Sequence, residues 1–517
     1  MHAATLATLR GVVFLDRARL SRILGTELPP GADGVEGVAH DSRLIEPGFA
    51  FVAVPGFKRD GAEFVPEALR RGATLVVAER EIPGMPSGVS PVVVPDARGA
   101  LAALACAVYG NPSENMAVYG ITGTNGKTTT SYVLYSVLVA AHGPEKCGLM
   151  STAEKIFGGE RRPAVRTTPE AVEVQGTLRK MLDDGVEHAV MEVSSHGVAL
   201  KRVEGTRFAG ALFTNLTRDH LDLHGSMEEY YAAKRELFLR VSPRGPKLAN
   251  ADDPYGRRLA GEIPGVKMFG AAGDADYRVE DVRSVRGRTS FLLRHPGGIL
   301  KIESPLLGGY NVENVAGAAA LALASGVGGK TVAHAARKMG QVPGRFERIP
   351  ASERFGFEVI VDYAHTDIAL EAVLDVARTM AEQGRGGDGG SARPGRVVCV
   401  FGAAGDRDGA KRPLMGRVAA NLAELSIITT DDAYTEDPGK IAREVAAGSE
   451  GGPGRYEVVL NRRAAIERAL RAAGPGDVVV VAGKGHESVQ HLPEGDVPFH
   501  DASVVRELLE ELERKGG

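Results

Sequence analysis

The chain has 517 residues, 43% apolar and 25% charged, with a net charge of −4: ordinary globular composition, room for about three domains, and no basic footprint for nucleic acid. Its three cysteines, Cys106, Cys147 and Cys399, lie far apart without metal-ligand spacing, which argues for a reducing cytosol and against a disulfide framework. Met1 to Leu20 is interrupted by Arg10 and Asp16, so no signal peptide is visible. The Ala/Leu-rich run Val315 to Val327 is too short to span a bilayer, and a cytoplasmic location without membrane partners is expected.

From Phe49 to Asp96 short apolar runs alternate with helix-like stretches such as Glu63 to Arg71, predicting a small α/β domain. A helix from Ala97 to Tyr109 ends at Gly110-Asn111-Pro112-Ser113, which puts a first domain at 1–113. His40-Asp41-Ser42-Arg43 in it reads, taken alone, as a solvated turn. The apolar run Ala117 to Thr122 then predicts a buried strand, followed by Gly123-Thr124-Asn125-Gly126-Lys127-Thr128-Thr129 and a helix carrying Val133, Leu134, Val137, Leu138 and Ala141. Strand, glycine-rich turn and helix start is an arrangement that cradles phosphate. Backbone N–H groups hold the oxygens, Lys127 adds charge, and a Thr hydroxyl can ligate magnesium. The common eight-residue spacing wants Gly where this chain has Ile121, so the loop is a shorter variant, read as an ATP site.

In the rest of the second domain, 114–342, the runs Glu187 to Glu192 and Ala209 to Thr214 predict parallel strands ending in polar residues. Ligands of open α/β sheets gather at such carboxyl ends, so Glu192 and His220 fall where magnesium could be held. Lys234, in a predicted helix from Met227 to Leu239, reads by itself as a solvent-facing lysine. Residues 257–300 are expected to add edge strands. The third domain, 343–517, alternates strands at Glu358–Asp362, Arg396–Phe401, Leu425–Thr429 and Asp477–Ala482 with helices, which predicts a mostly parallel sheet. Gln383 to Pro394 and Gly448 to Gly454 read as surface loops. Polar clusters follow each of the four strands, as the lining of a cleft would.

With GTNGKTTT at 123–130, MEVSSHG at 191–197, FTNLTRDHLDLHG at 213–225, YYAAK at 230–234, VDYAHT at 361–366, GDRD at 405–408 with KRPLMG at 411–416, and AGKGHE at 482–487, the chain closely resembles the Mur ligases of peptidoglycan precursor synthesis, most of all the MurE type that adds the third peptide residue. The resemblance implies three domains: a small N-terminal α/β domain for the UDP substrate, a central P-loop ATPase-type parallel sheet, and a C-terminal Rossmann-like α/β domain for the incoming amino acid. It implies that Gly123 to Thr129 hold the ATP phosphates, with Lys127 on the γ-phosphate and Thr128 and Glu192 on one magnesium. Lys234 matches the lysine carried as a carbamate, which with His220 would hold a second magnesium. Asn311 and Asn314 match contacts near adenine; Arg345 and Asp362 match nucleotide contacts from the third domain. Ser42 matches the uridine-side contact; Thr167, Thr168, Ser194 and Arg202 match contacts to the muramoyl dipeptide. Arg407, Gly483 and Glu487 match contacts to the incoming amino acid, and Asp431-Asp432-Ala433-Tyr434 stands where diaminopimelate-adding members read Asp-Asn-Pro-Arg. Two further departures are Arg166, where the family often has Asn, and Leu200, where it often has Gln.

The expected reaction is ATP-dependent amide formation on UDP-N-acetylmuramoyl-L-alanyl-D-glutamate through an acyl phosphate, with closure of the third domain before chemistry and a monomeric enzyme. Tyr434 lacks the charged fork of Arg, and Asp432 adds a negative charge, so a lysine-like diamino acid is expected over meso-diaminopimelate. A folylpolyglutamate-synthase-like ligase shares the loop and the carbamate chemistry, but Asp41-Ser42-Arg43 and MEVSSHG argue against it. A nucleotide-hydrolysing switch would not need Lys234 or the third domain's clusters.

Overall fold

Four consecutive valines, Val478 to Val481, have no polar alternation and so suit a strand covered on both faces. The computed structural model, which describes residues 11–56, 59–85, 91–285, 287–383 and 394–516, buries all four. Val479 and Val481 face one core cluster with Val359, Val361, Val398 and Val400. Val480 and Ala482 face another with Ile360, Cys399 and Phe401. Successive side chains on a strand point to opposite faces, so helices must cover both sides of this sheet.

The chain forms two compact units. The second comprises 281–291, 302–312 and everything from Arg337 onward. Its sheet runs Glu347–Arg348, Glu358–Asp362, Val478–Ala482, Val397–Phe401, Leu425–Ile428, Arg455–Val458, parallel except at the first pair. The four predicted strands are present, trimmed by a residue where Arg396, Thr429 and Asp477 fall outside.

One loop expectation is corrected: Gly448 lies inside the helix Pro438–Ser449. A Cβ there would sit 1.8 Å from Pro413 O on the helix Lys411–Leu422, so this glycine exists for close helix packing, not for a turn. Of the other predicted loop, residues 384–393 lie outside the described residues.

The first unit comprises the chain up to Glu280 with 292–301 and 313–336. It carries a parallel sheet of Gly37–Ala39, Phe49–Val52, Leu75–Ala78 and Val92–Val93, with core on both faces. Its larger sheet places Cys147–Met150, His188–Glu192, Ala117–Thr122, Gly210–Phe213, Lys247–Asn250 and Val266–Gly270 in parallel order. The phosphate-loop strand is therefore flanked by the two strands predicted to end in polar residues. Glu192 is level with Ile121, and Phe213 with Thr122, so the segments that follow them emerge at the same edge. The stretch 257–300 adds strands as expected; a helix, Pro254–Glu262, precedes them, started by Asp253 at its N-cap and Pro254 at its first position. Among the described residues no helix is long and apolar enough to cross a membrane.

Candidate active site

Between the strand Ala117–Thr122 and the helix Lys127–His142 the loop must reverse within four residues. Gly126, with φ of 82°, takes the left-handed conformation that starts the helix, and a Cβ on it would lie 2.2 Å from Asn314 Oδ1. No side chain caps the helix, and a helix N-terminus favours an anion. The loop is braced by the next strand: Thr124 N donates to Asn215 O at 2.9 Å, and Asn125 N donates to Asn215 Oδ1 at 2.9 Å. Lys127 Nζ donates back to Gly123 O at 2.9 Å and Thr124 O at 2.8 Å, so its charge hangs over the loop. Thr128 and Thr129 are buried in the first helical turn.

Glu192, fully buried, is the hub of this edge. Its carboxylate accepts from the Thr128 hydroxyl at 3.1 Å, from Thr152 N at 2.8 Å and from the Thr152 hydroxyl at 2.9 Å. Its carbonyl accepts from the Thr168 hydroxyl at 2.9 Å. Thr168 Oγ1 in turn accepts from Ser194 N at 2.9 Å, and Arg202 Nη1 donates to Thr168 O at 3.1 Å. The Thr167 hydroxyl lies 3.0 Å from that of Thr152. A magnesium ion asks for hard oxygen donors such as a hydroxyl and a carboxylate, and Thr128 with Glu192 fits that demand. Ser42 is buried and donates to Glu67 at 2.8 Å.

Lys234 is not the solvent-facing lysine that its helix alone suggested. It is 1% exposed, donates to Gly123 O at 2.7 Å and lies over the Tyr230 ring at 4.5 Å. Burial, reinforced by the nearby Lys127 charge, holds its amine well below the usual lysine range. A neutral amine is what carbamate formation requires, so the residue fits that modification. His220 packs edge-on to His196 at 4.7 Å and against Tyr230 at 6.2 Å, with a φ of 52° that non-glycine residues seldom adopt. Tyr230 thus touches both His220 and Lys234, and its hydroxyl is 3.1 Å from that of Thr124. Among the described residues no three His, Cys, Asp or Glu side chains gather as a metal site, so any magnesium here would draw on hydroxyl, carbamate or phosphate oxygen as well.

In the second unit Asp362 is buried, accepts from Phe346 N at 2.6 Å and Ala364 N at 2.8 Å, and burial pushes its carboxyl up to about 6. Arg345 stacks over Tyr363 at 4.4 Å. Asn311 donates to Leu307 O at 2.7 Å; with Asn314 it lies one turn apart on the helix Gly309–Ala324. The strand-end clusters at 431–434 and 483–487 converge on Lys484, a fully buried ammonium 2.8 Å from Asp432 Oδ1, 3.0 Å from Glu487 Oε2 and 3.9 Å from Asp431 Oδ1. Gly483 is forced by this crowding, since a Cβ would meet Asp431 Oδ2 at 2.6 Å. Burial raises the Glu487 carboxyl, and the Tyr363 hydroxyl donates to it at 3.2 Å. Tyr434, at φ 49°, stacks on His491 at 5.2 Å with Arg407 5.7 Å from its ring, and Ala433 is buried beside it. Asp432 pairs with Lys484 and accepts from His491 N at 2.9 Å, but the same ammonium also serves Asp431 and Glu487, so the cluster keeps negative character.

Three family models cover most of the chain: the Mur ligase family catalytic domain at residues 34–109, the Mur ligase middle domain at 121–322, and the Mur ligase glutamate ligase domain at 344–485. The chain belongs to the Mur ligase family. The UDP-N-acetylmuramoyl-L-alanyl-D-glutamate–2,6-diaminopimelate ligase of Solibacter usitatus (strain Ellin6076) is 41% identical over 96% of this chain and 97% of its own. A solved structure of a ligase of that name matches with a TM-score of 0.65 at 29% identity, over 96% of this chain and 99% of its own. The folylpolyglutamate synthase of Mycobacterium tuberculosis, with ADP and AMPPCP, has a TM-score of 0.62 at 19% identity, over 79% of this chain and 94% of its own; that likeness shows the fold alone. Sequence reasoning for this Mur ligase missed Thr152, Tyr230 and Lys484 as participants. Lys484 and Tyr230 stand inside quoted motifs and could have been found there; Thr152 carried no signal.

Proposed function

We propose that this Mur ligase joins the terminal glutamate of UDP-N-acetylmuramoyl-L-alanyl-D-glutamate to one amine of a free diamino acid, consuming ATP, in cytoplasmic peptidoglycan precursor synthesis. The observation that carries the reading is Glu192: its carboxylate bonds the Thr128 hydroxyl of the phosphate loop, and its carbonyl bonds the Thr168 hydroxyl of the dipeptide motif. One residue thereby links the candidate phosphate and dipeptide contacts. The substrate carboxylate attacks the γ-phosphorus, ADP leaves, and the amine then displaces phosphate from the acyl phosphate. Lys127 and the uncapped helix N-terminus hold the phosphates, Thr168, Ser194 and Arg202 orient the dipeptide, and Ser42 meets the uridine side. Magnesium, when bound, would neutralise charge that otherwise keeps a carboxylate from a triphosphate. Asn311, Asn314, Arg345 and Asp362 serve the nucleotide; Lys234 is carried as a carbamate. The division into 1–113, 114–342 and 343–517, and a monomeric state, belong to the same proposal.

For the amino acid, the relatives' name points to 2,6-diaminopimelate, and the pairing of Asp432 with Lys484 weakens one of two reasons for preferring lysine. Arg407 and the Tyr434 hydroxyl supply a cation and a donor for a distal carboxylate. The second reading, lysine, is favoured by Tyr434 standing where diaminopimelate enzymes carry Arg. A product assay offering the UDP-muramoyl dipeptide with meso-diaminopimelate, lysine and ornithine tests both. ATP consumption should require dipeptide and amino acid together, with the highest kcat/KM for meso-diaminopimelate. ATP turnover without them would overturn the ligase, and a higher value for lysine would reverse the choice of acid.

A further inference from the structure

Glu170 occupies the N-cap position of the helix Ala171–Asp183, yet its side chain makes no capping hydrogen bond. It is turned instead to two arginines. Arg166 Nη1 donates to Glu170 Oε1 at 2.6 Å, and Arg202 Nη2 reaches the same oxygen at 2.6 Å. Arg202 is largely buried, and its Nε has no hydrogen-bond partner among the described residues. Arg98 is close enough to repel Arg202, as Arg166 does. The nearby His40 is kept below its ordinary range by burial and adds no charge at neutral pH. Asp41 is taken up by Arg43. Two guanidiniums therefore share one carboxylate oxygen, with Arg98 nearby, which leaves surplus positive charge beside Thr168 and Ser194.

We propose that Glu170 is a built-in stand-in for a substrate carboxylate: a ligand carboxylate takes its place between Arg166 and Arg202, and Arg166 is a specificity-determining residue of this chain. The inference rests on the dipeptide reading above. A terminal glutamate has two carboxylates, only one of which is ligated, and the other is the one that enters the clamp. The guanidinium of Arg166, where the family often has Asn, offers two parallel charged donors to it. Because Arg166 is half exposed, its removal leaves the fold untouched.

The test is steady-state kinetics of the full chain with UDP-muramoyl dipeptide, and with the same compound bearing a carboxamide in place of the non-reacting carboxylate. Arg166→Asn should raise the KM for the dipeptide about tenfold, with kcat and the KM for ATP within about twofold. Wild type should lose at least a similar factor with the carboxamide, and Arg166→Asn should lose less than wild type does, since only the Arg202 contact is left to give up. Glu170→Gln should lower the dipeptide KM, because the internal competitor loses its charge; a residue that merely braced Arg202 would raise it. An unchanged KM in Arg166→Asn, full discrimination retained by it, or a raised KM in Glu170→Gln overturns the clamp while leaving the ligase reading intact. A wild-type enzyme that consumes no dipeptide overturns both.

Discussion

Lys234 shows how far a residue's chemistry depends on where the fold puts it. A lysine that is buried, bonded to Gly123 O and near Lys127 sheds its proton readily, and a neutral amine can take up carbon dioxide to become a carboxylate. Lys234→Ala should lose ligation and regain part of it with small carboxylates that fill the vacated space. Rescue equal to that by chloride at matched ionic strength would count against the carbamate.

Asp362 makes a second residue-level case. Its carboxyl is raised from 3.8 to about 6, chiefly by burial, with Arg345 opposing. The protonated form is favoured by the fold, so Asp362 contributes most below about pH 4, and that contribution is lost as pH rises through about 6. A displacement of this size corresponds to about 3 kcal/mol. Asp362→Asn cannot ionise. The stability of wild type relative to this variant, followed by urea unfolding, should therefore fall between pH 4 and 6.5, and a flat difference would refute the assignment.

Among the elements, the paired helices Lys411–Leu422 and Pro438–Ser449 are held close by Gly448. Gly448→Ala should cost about 1–3 kcal/mol, because neither helix backbone can yield at 1.8 Å. Gly261→Ala, on an exposed helix position with nothing within 4 Å, should instead stabilise by about 0.5–1 kcal/mol. Denaturant midpoints of the two variants moving in the same direction would defeat this account. Buried charge works at the same scale. Arg462 pairs with Asp501 at 2.7 Å and donates to Ala482 O at 2.9 Å, and its Nη1 lies 3.4 Å from Thr430 O. It thereby ties the ends of two strands whose following loops carry Asp431 and Gly483. The fold uses Arg462 as an internal brace.

At the scale of the whole molecule, what the sequence determined by itself was whatever depends on neighbours in the chain. Apolar runs such as Ala117–Thr122 and Val478–Val481 specified strands buried on both faces. The alternation of strand and helix specified parallel sheets, and the glycines before Lys127 specified a loop at a helix start. Polar clusters at strand ends were legible for the same reason: a parallel sheet puts every carboxyl end on one edge. Tertiary structure alone decided which of those polar groups meet. Thr152 reaches Glu192 from 40 residues away, Lys484 reaches Asp432 across 52 positions, and Glu170 turns from its helix to Arg202. Burial of Lys234 and the pairing of Asp432 with Lys484 were likewise invisible in the chain, because desolvation and ion pairing are set by atoms that only folding brings near.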